Sequence, residues 1–358
     1  MEKQSTNRLF TKENSLTVKG IAILMMLFYH LFSSAKDNFE LGVNYRPFSE
    51  DVFLMIAGFG NICVAVFVFL SAYGISKKIY DSNEITLKKA YSDSFKRFLK
   101  LLFNFAFMFT CINLLWFHWF DYSLAFGEGK QGFLAFLLDG LGLSHLFSTP
   151  SLNMTWWYMS LAYTIIFIVP ILAVLCKKIG YPFLGLSFLI PFIMPLNEDL
   201  AHYFFVIGVG IACAYGNWIE KIINSKIPVW VRWIAEIVLI VLSVIIRDNE
   251  FVKTTLICQA DAIFAFLIVC FAVDMVSFIP VIRKIFSFLG KFSMNIFFVH
   301  TFFYLILYRY YVYHFKRFYI TYFILLAVSL ILSMVIELLK FLFLKGCKAI
   351  FHKKTKQE

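Results

Sequence analysis

Apolar runs of about twenty residues recur from one end of this 358-residue chain to the other. A run of that length crosses the hydrocarbon of a bilayer as a helix. Inside lipid, only helices and closed barrels satisfy every backbone N–H and C=O. The recurrence therefore points to an all-α, polytopic integral membrane protein. Composition agrees. Hydrophobic residues make up 61% of the chain, charged residues 15%, and Phe alone contributes 45. A soluble domain carries about 45–50% apolar and about 25% charged residues.

About ten spans are predicted, at 16–34, 52–76, 98–120, 153–176, 181–196, 200–218, 229–247, 254–279, 292–313 and 318–344. Two are marginal. The 181–196 run is short and holds Pro182, Pro191 and Pro195, and the 16–34 run loses its apolar character at Ser33-Ser34. No small-residue cleavage motif follows the first run, so it is expected to stay as a helix rather than leave as a signal peptide.

The basic residues test this count. With the spans threaded in order, 25 of the 33 Lys and Arg fall on the side of the N-terminus and 8 on the other. Lys and Arg concentrate in cytoplasmic loops, so both termini are expected in the cytoplasm. Arg309 to Arg317 is the one segment that runs against the bias. The net charge of +11 then reflects topology and an anionic inner leaflet, not nucleic-acid binding.

The polar segments 35–51, 77–97 and 121–152 are too short for a core of their own. No internal repeat is visible, so residues 1–358 read as one membrane domain with a basic cytoplasmic tail at 345–358. Lysines give the 77–100 segment an amphipathic look. The glycine-rich 121–152 segment, with apolar Phe133–Leu138 inside it, is expected to be an outer loop carrying a short interfacial or re-entrant helix. Seven scattered cysteines, none in a CxxC pair, read as small packing residues and support neither a disulfide framework nor a metal site.

Within this apolar frame a few polar residues stand out. Lys19 and His30 lie in the first span, eleven residues apart, hence on one face and roughly 16 Å apart along a helix. An embedded imidazole is costly and calls for a partner or a task. It serves either as a hydrogen-bonded link between helices or as a group that takes a proton from a hydroxyl or carries an acyl group. Lys19 either snorkels to lipid phosphate or meets an anionic substrate. Ser71, Tyr73 and Gly74 interrupt the aliphatic second span, where small residues also permit close helix packing. Arg97 and Lys100, three apart, share a helix face that suits phosphate or plain anchoring.

A second embedded histidine, His300, ends the stretch Gly290–His300, and Trp157 and Tyr158 sit in the aromatic group Thr155–Ser160. Asp261 is a candidate polar partner in the eighth span. Glu236 with Arg232, and Glu337 with Lys340, are expected to pair locally. His118, His145 and His202 fall near span ends or in the outer loop.

Taken in order, Lys19-x10-His30, Phe67–Gly74, Arg97-x-x-Lys100, Trp157-Tyr158 and Ser293–His300 resemble the acyltransferase family 3 membrane proteins over about residues 14–305. The family normally has arginine where this chain has Lys19, which loses the bidentate geometry of a guanidinium. It usually reads Ser-Gly-Phe/Tyr where this chain has Ser71-Ala72-Tyr73.

The resemblance implies transfer of an acyl group, usually acetyl, from cytoplasmic acyl-CoA. The acceptor would be a sugar hydroxyl on a cell-envelope polysaccharide or its lipid-linked precursor. His30 matches the family's essential histidine. Lys19, Arg97 and Lys100 match its donor-side cations. Ser71, Tyr73, Trp157, Asp261 and His300 are supporting or substrate-side candidates. No bound cofactor and no metal are expected, since acyl-CoA is a substrate. The expected partners are acyl-CoA, the glycan and membrane lipids, in a bacterial plasma membrane. A transporter or flippase of lipid-linked sugars or small solutes is the rival class. It would predict repeat symmetry with interrupted helices, and no repeat is seen.

Overall fold

The computed structural model describes residues 8–82 and 86–354. The ends of the expected cytoplasmic segments, residues 1–7 and 355–358, and part of the 77–100 segment, residues 83–85, lie outside the described residues. The protein is 83% helical, with no strands among the described residues.

The principal helices, in chain order, are α1 Lys12–Phe32, α2 Glu50–Tyr80 with a 3-10 turn at Gly60–Ile62, and α3 Leu87–Trp116. There follow α4 Gly129–Gly140, α5 Trp157–Ile179, α6 Pro182–Ile193 and α7 Glu198–Gly216. The last four are α8 Val229–Asp248, α9 Ile257–Asp274, α10 Pro280–Thr301 and α11 Phe318–Lys354. Nine of the described helices are long and apolar enough to cross a membrane.

The expected tenth span, 181–196, corrects to the short apolar helix α6. Its 12 residues reach about 18 Å, short of a hydrocarbon core of about 30 Å. Pro182 starts it and Pro191 lies inside it. The 77–97 segment also differs from expectation, because α3 begins at Leu87, eleven residues ahead of the expected span. Lys88, Lys89 and Lys96 are exposed on its first turns. The short helix expected within 121–152 is α4.

Contacts divide the chain into two compact units. The first comprises residues 1–99, 161–293 and 316–318, and the second residues 100–160, 294–315 and 319–358. In the first unit α1 is fixed by local chemistry at its start. Thr11 caps it, the Asn14 N–H donating to Thr11 Oγ1 at 3.1 Å and the Thr11 N–H to Asn14 Oδ1 at 2.9 Å.

Glycines then set how closely α1 is held. A Cβ on Gly20 would lie 2.0 Å from the Phe286 carbonyl oxygen, and one on Gly290 would lie 1.9 Å from that of Leu16. The backbones of α1 and α10 therefore touch beside Lys19. Farther along, a Cβ on Gly60 would lie 2.5 Å from the Met25 carbonyl oxygen and 3.0 Å from the Tyr29 Cβ. The helix carrying Lys19 and His30 is thus gripped at both levels by backbone contacts that tolerate no side chain.

Helices α8 and α9 are joined twice. Near the start of α8, Arg232 donates through Nε and Nη2 to both oxygens of Asp274, at 2.6 and 3.0 Å. Near its end, Arg247 donates through Nε and Nη2 to both oxygens of Asp261, at 2.8 and 3.2 Å. In the second unit, Trp156 is the aromatic anchor. It is fully buried, its indole N–H donates to the Phe298 carbonyl at 3.1 Å, and Phe105 and Phe109 pack on it with ring centroids 5.3 and 5.6 Å away.

Candidate functional site

The helix α1 runs unbroken from Lys12 to Phe32, so the eleven-residue spacing of Lys19 and His30 keeps both on one face, roughly 16 Å apart along the axis. Both side chains are partly accessible. The Tyr29 ring lies 5.3 Å from the His30 ring.

At the Lys12 end of the first unit the second and third motifs meet. Arg97 is half-buried, and its Nη2 donates to the Gly74 carbonyl at 3.4 Å. It closes one side of a cavity of about 180 Å³ in which Lys78 pairs with Asp93 at 2.7 Å. Ser71 does not reach another helix through its hydroxyl, which donates to the Phe67 carbonyl one turn back at 2.8 Å. Tyr73 does reach one, its hydroxyl donating to Glu220 at 3.1 Å.

Beside Glu220 opens a cleft of about 520 Å³ lined by Arg8, Lys77, Asn217, Lys221 and Asn224. Three cations face one carboxylate there. Behind it Asp274, fully buried, receives Arg8 Nη1 at 2.8 Å as well as Arg232. The local Arg232–Glu236 pair expected from sequence gives way to this arrangement. Arg232 turns to the facing helix, and neither oxygen of buried Glu236 finds a hydrogen bond among the described residues. A bidentate partner outweighs a single contact one turn away.

At the His30 end, Asp261 is committed to Arg247 and to His202, whose Nε2 lies 3.3 Å from Asp261 Oδ2. Arg247 Nη1 also donates to the Gly58 carbonyl at 3.1 Å. This end holds a cavity of about 450 Å³ whose polar lining includes Ser33, Asp51, Arg247, Asp248 and Lys253. Arg247 is not singled out by the sequence, and His202 stands there only as a histidine near a span end, because their shared partner comes from another helix.

Lys100, Trp157 and His300 belong to the second unit. Lys100 is exposed and Trp157 is partly accessible, its ring 6.2 Å from that of His145. His300 is fully buried. Its Nδ1 lies 2.7 Å from the Phe297 carbonyl, which can only accept, so Nδ1 carries the proton. The other nitrogen faces Thr301 Oγ1 at 3.4 Å, and Thr301 lies 3.2 Å from Thr155 Oγ1. His300 is therefore built into a hydrogen-bonded core. Lys340 pairs with Glu337, as expected from their spacing, and the Asn295 amide donates to the same carboxylate at 2.9 Å. In the last turn of α4, burial pushes the Asp139 carboxyl up to about 6 despite hydrogen bonds from Ser144 and Leu152.

The sequence profile of the acyltransferase family 3 domain matches residues 17–338, nearly the whole chain. The chain belongs to acyltransferase family 3. No curated protein and no solved structure matches it. It is a membrane acyltransferase.

Proposed function

We propose that this acyltransferase moves an acetyl (acyl) group from acyl-CoA to a hydroxyl of a cell-envelope polysaccharide or its lipid-linked precursor. It does so in a bacterial cell membrane with both termini in the cytoplasm. The observation that carries the reading is the state of α1. Lys19 and His30 share one face of an unbroken, tightly gripped helix, and both are partly accessible.

In this mechanism acyl-CoA enters from the Lys12 end. Its phosphates meet cations there, Lys19 and Arg97 among them, with Lys100 as a further donor-side candidate. The pantetheine arm runs along the Lys19–His30 face, whose roughly 16 Å suits its length. His30 takes the proton of the acceptor hydroxyl as the oxygen attacks the thioester carbonyl. The new C–O bond forms, the C–S bond breaks, and the thiolate of CoA recovers the proton from the imidazolium. If His30 carries the acyl group instead, a C–N bond to the ring forms as the C–S bond breaks and CoA leaves as thiolate; the acceptor oxygen then forms the C–O bond as the C–N bond breaks, and the thiolate takes the hydroxyl proton.

The test is the acetyl-ester content of envelope glycans in a strain deleted for this protein. A loss restored by the wild-type chain and not by His30→Ala, at equal membrane abundance, is expected. Unchanged ester content on deletion contradicts the proposal.

A further inference from the structure

The first unit opens at both ends, and the two openings suit different ligands. At the Lys12 end the cleft wall carries Arg8, Lys77 and Lys221 against Glu220; Arg8 also pairs with Asp274 and Lys77 with Asp81, which leaves a small cationic excess of the sign that suits a polyphosphate. The cavity at the His30 end is balanced. Asp51 and Asp248 face Arg247 and Lys253, and Leu54, Met55 and Phe59 supply an apolar side. Two carboxylates repel the phosphates of CoA. The same carboxylates accept hydrogen bonds from vicinal hydroxyls, the cations donate to ring and hydroxyl oxygens, and the apolar side matches a sugar face. At about 450 Å³ the cavity falls in the usual range for small-ligand sites, about 300–1,000 Å³.

Its position relative to His30 follows from α1. Ser33, on the cavity wall, is three residues beyond His30 and continues the helical backbone, with φ −73 and ψ −16. Residues three apart are neighbours on a helix. The hydroxyls of Tyr29 and Ser33 also interact, which ties the residue beside His30 to the wall. The wall is rigid at Arg247. Three of its nitrogens are already committed, two to Asp261 and one to the Gly58 carbonyl. The adaptable groups are Asp51, Asp248 and Lys253. All three are exposed, and Lys253 pairs with Asp248 at 2.7 Å.

We propose that this cavity is the acceptor subsite, in which Asp51 and Asp248 hold a polyhydroxyl glycan end so that one hydroxyl lies beside His30. The assignment rests on the acyl-transfer reading above. Asp51 and Asp248 are specificity and positioning residues, and the proton itself still goes to His30.

The test uses the full chain in lipid nanodiscs with radiolabelled acetyl-CoA. The acceptor is the envelope glycan fraction from the deletion strain. The Asp51→Asn/Asp248→Asn variant is expected to need at least tenfold more glycan for half-maximal transfer, while half-saturation by acetyl-CoA stays within twofold. Ser33→Trp, which fills the cavity from the α1 side, is expected to lower transfer to the glycan at unchanged acetyl-CoA affinity. If wild type transfers normally and both variants match it in glycan dependence, the subsite is overturned while the acyl-transfer reading stands. A shift in acetyl-CoA dependence alone also overturns it. If wild type transfers no label to any glycan fraction, the acyl-transfer reading fails and the subsite falls with it.

Discussion

At the Lys12 end of the first unit, Asp274 takes two arginines, Arg8 and Arg232; at the His30 end, Asp261 takes one arginine, Arg247, and a histidine, His202. Both carboxylates stand on α9 and both bidentate arginines on α8. The two ends are thus closed by the same Arg–Asp joint, about 20 Å apart along α9. Arginine suits such a joint because its planar fork fits a carboxylate in two bonds. What differs is the charge left outside the joint. A surplus of cations lines the first opening, and carboxylates balance cations in the second. One helix pair is fastened by a bidentate Arg–Asp joint at both ends while the charge on the walls beside each joint differs. For the proposed reaction the matching ligands would be a polyanionic donor and a hydroxyl-rich acceptor.

The largest effect should come from breaking a joint. Asp274 is fully buried between two arginines, so Asp274→Asn leaves Arg232 under-compensated and should destabilise the protein by about 3–5 kcal/mol. Thermal unfolding in detergent checks this. Asp261→Asn should cost less, because His202 and Arg247 beside it are more accessible than Arg232. Equal losses at the two ends would break the comparison.

A second effect belongs to neither end and calibrates pH experiments on both. The folded protein holds the Asp139 carboxyl at about 6, above its ordinary value of 3.8, so folding favours its protonated form. The stability it contributes is full below about pH 4 and is lost as pH rises through about 6. At about 1.4 kcal/mol per pKa unit this is up to about 3 kcal/mol. Hydrogen exchange over 139–152, corrected for intrinsic rates, should show less protection at pH 7 than at pH 4.5. Asp139→Asn should remove the difference, and a pH-independent wild type would count against it.

The grip on α1 is the third target. Gly20→Ala and Gly290→Ala each place a methyl inside a backbone contact, so α1 and α10 must separate. Overpacking of this kind costs about 1–3 kcal/mol. Because Lys19 adjoins the contact, apparent affinity for acetyl-CoA should fall more than that for the glycan. The smallest effect is ionic. Raising salt from about 50 mM to about 500 mM shortens the screening length severalfold. The half-saturating acetyl-CoA concentration should rise severalfold while that of the glycan stays within twofold. Equal salt responses would erase the distinction between the ends.

Much of this was legible in the residues themselves. Apolar run length yields the helices, and one uninterrupted run places Lys19 and His30 on a common face. The 181–196 run was marginal for the reason the structure bears out: three prolines and too few residues for a full crossing. Local pairing held at Glu337 and Lys340. It failed at Arg232 and Glu236, because the stronger partner, Asp274, stands on a neighbouring helix that no sequence spacing identifies. Asp261 was noticed as an oddly placed carboxylate. Its partners, Arg247 at a helix end and His202 near another, looked like ordinary end residues until the helices were assembled. Ser33 and Asp51 likewise gain meaning only from the cavity they share.

The most direct measurement is the rate of acetyl transfer from radiolabelled acetyl-CoA to the envelope glycan by His30→Gln in nanodiscs, beside wild type of matched thermal stability. A general base of this kind contributes about 10²–10⁴ in rate. A loss of at least a hundredfold, with acetyl-CoA binding retained, is expected. A variant that transfers within twofold of wild type contradicts the assignment of His30 as the acyl-transfer group.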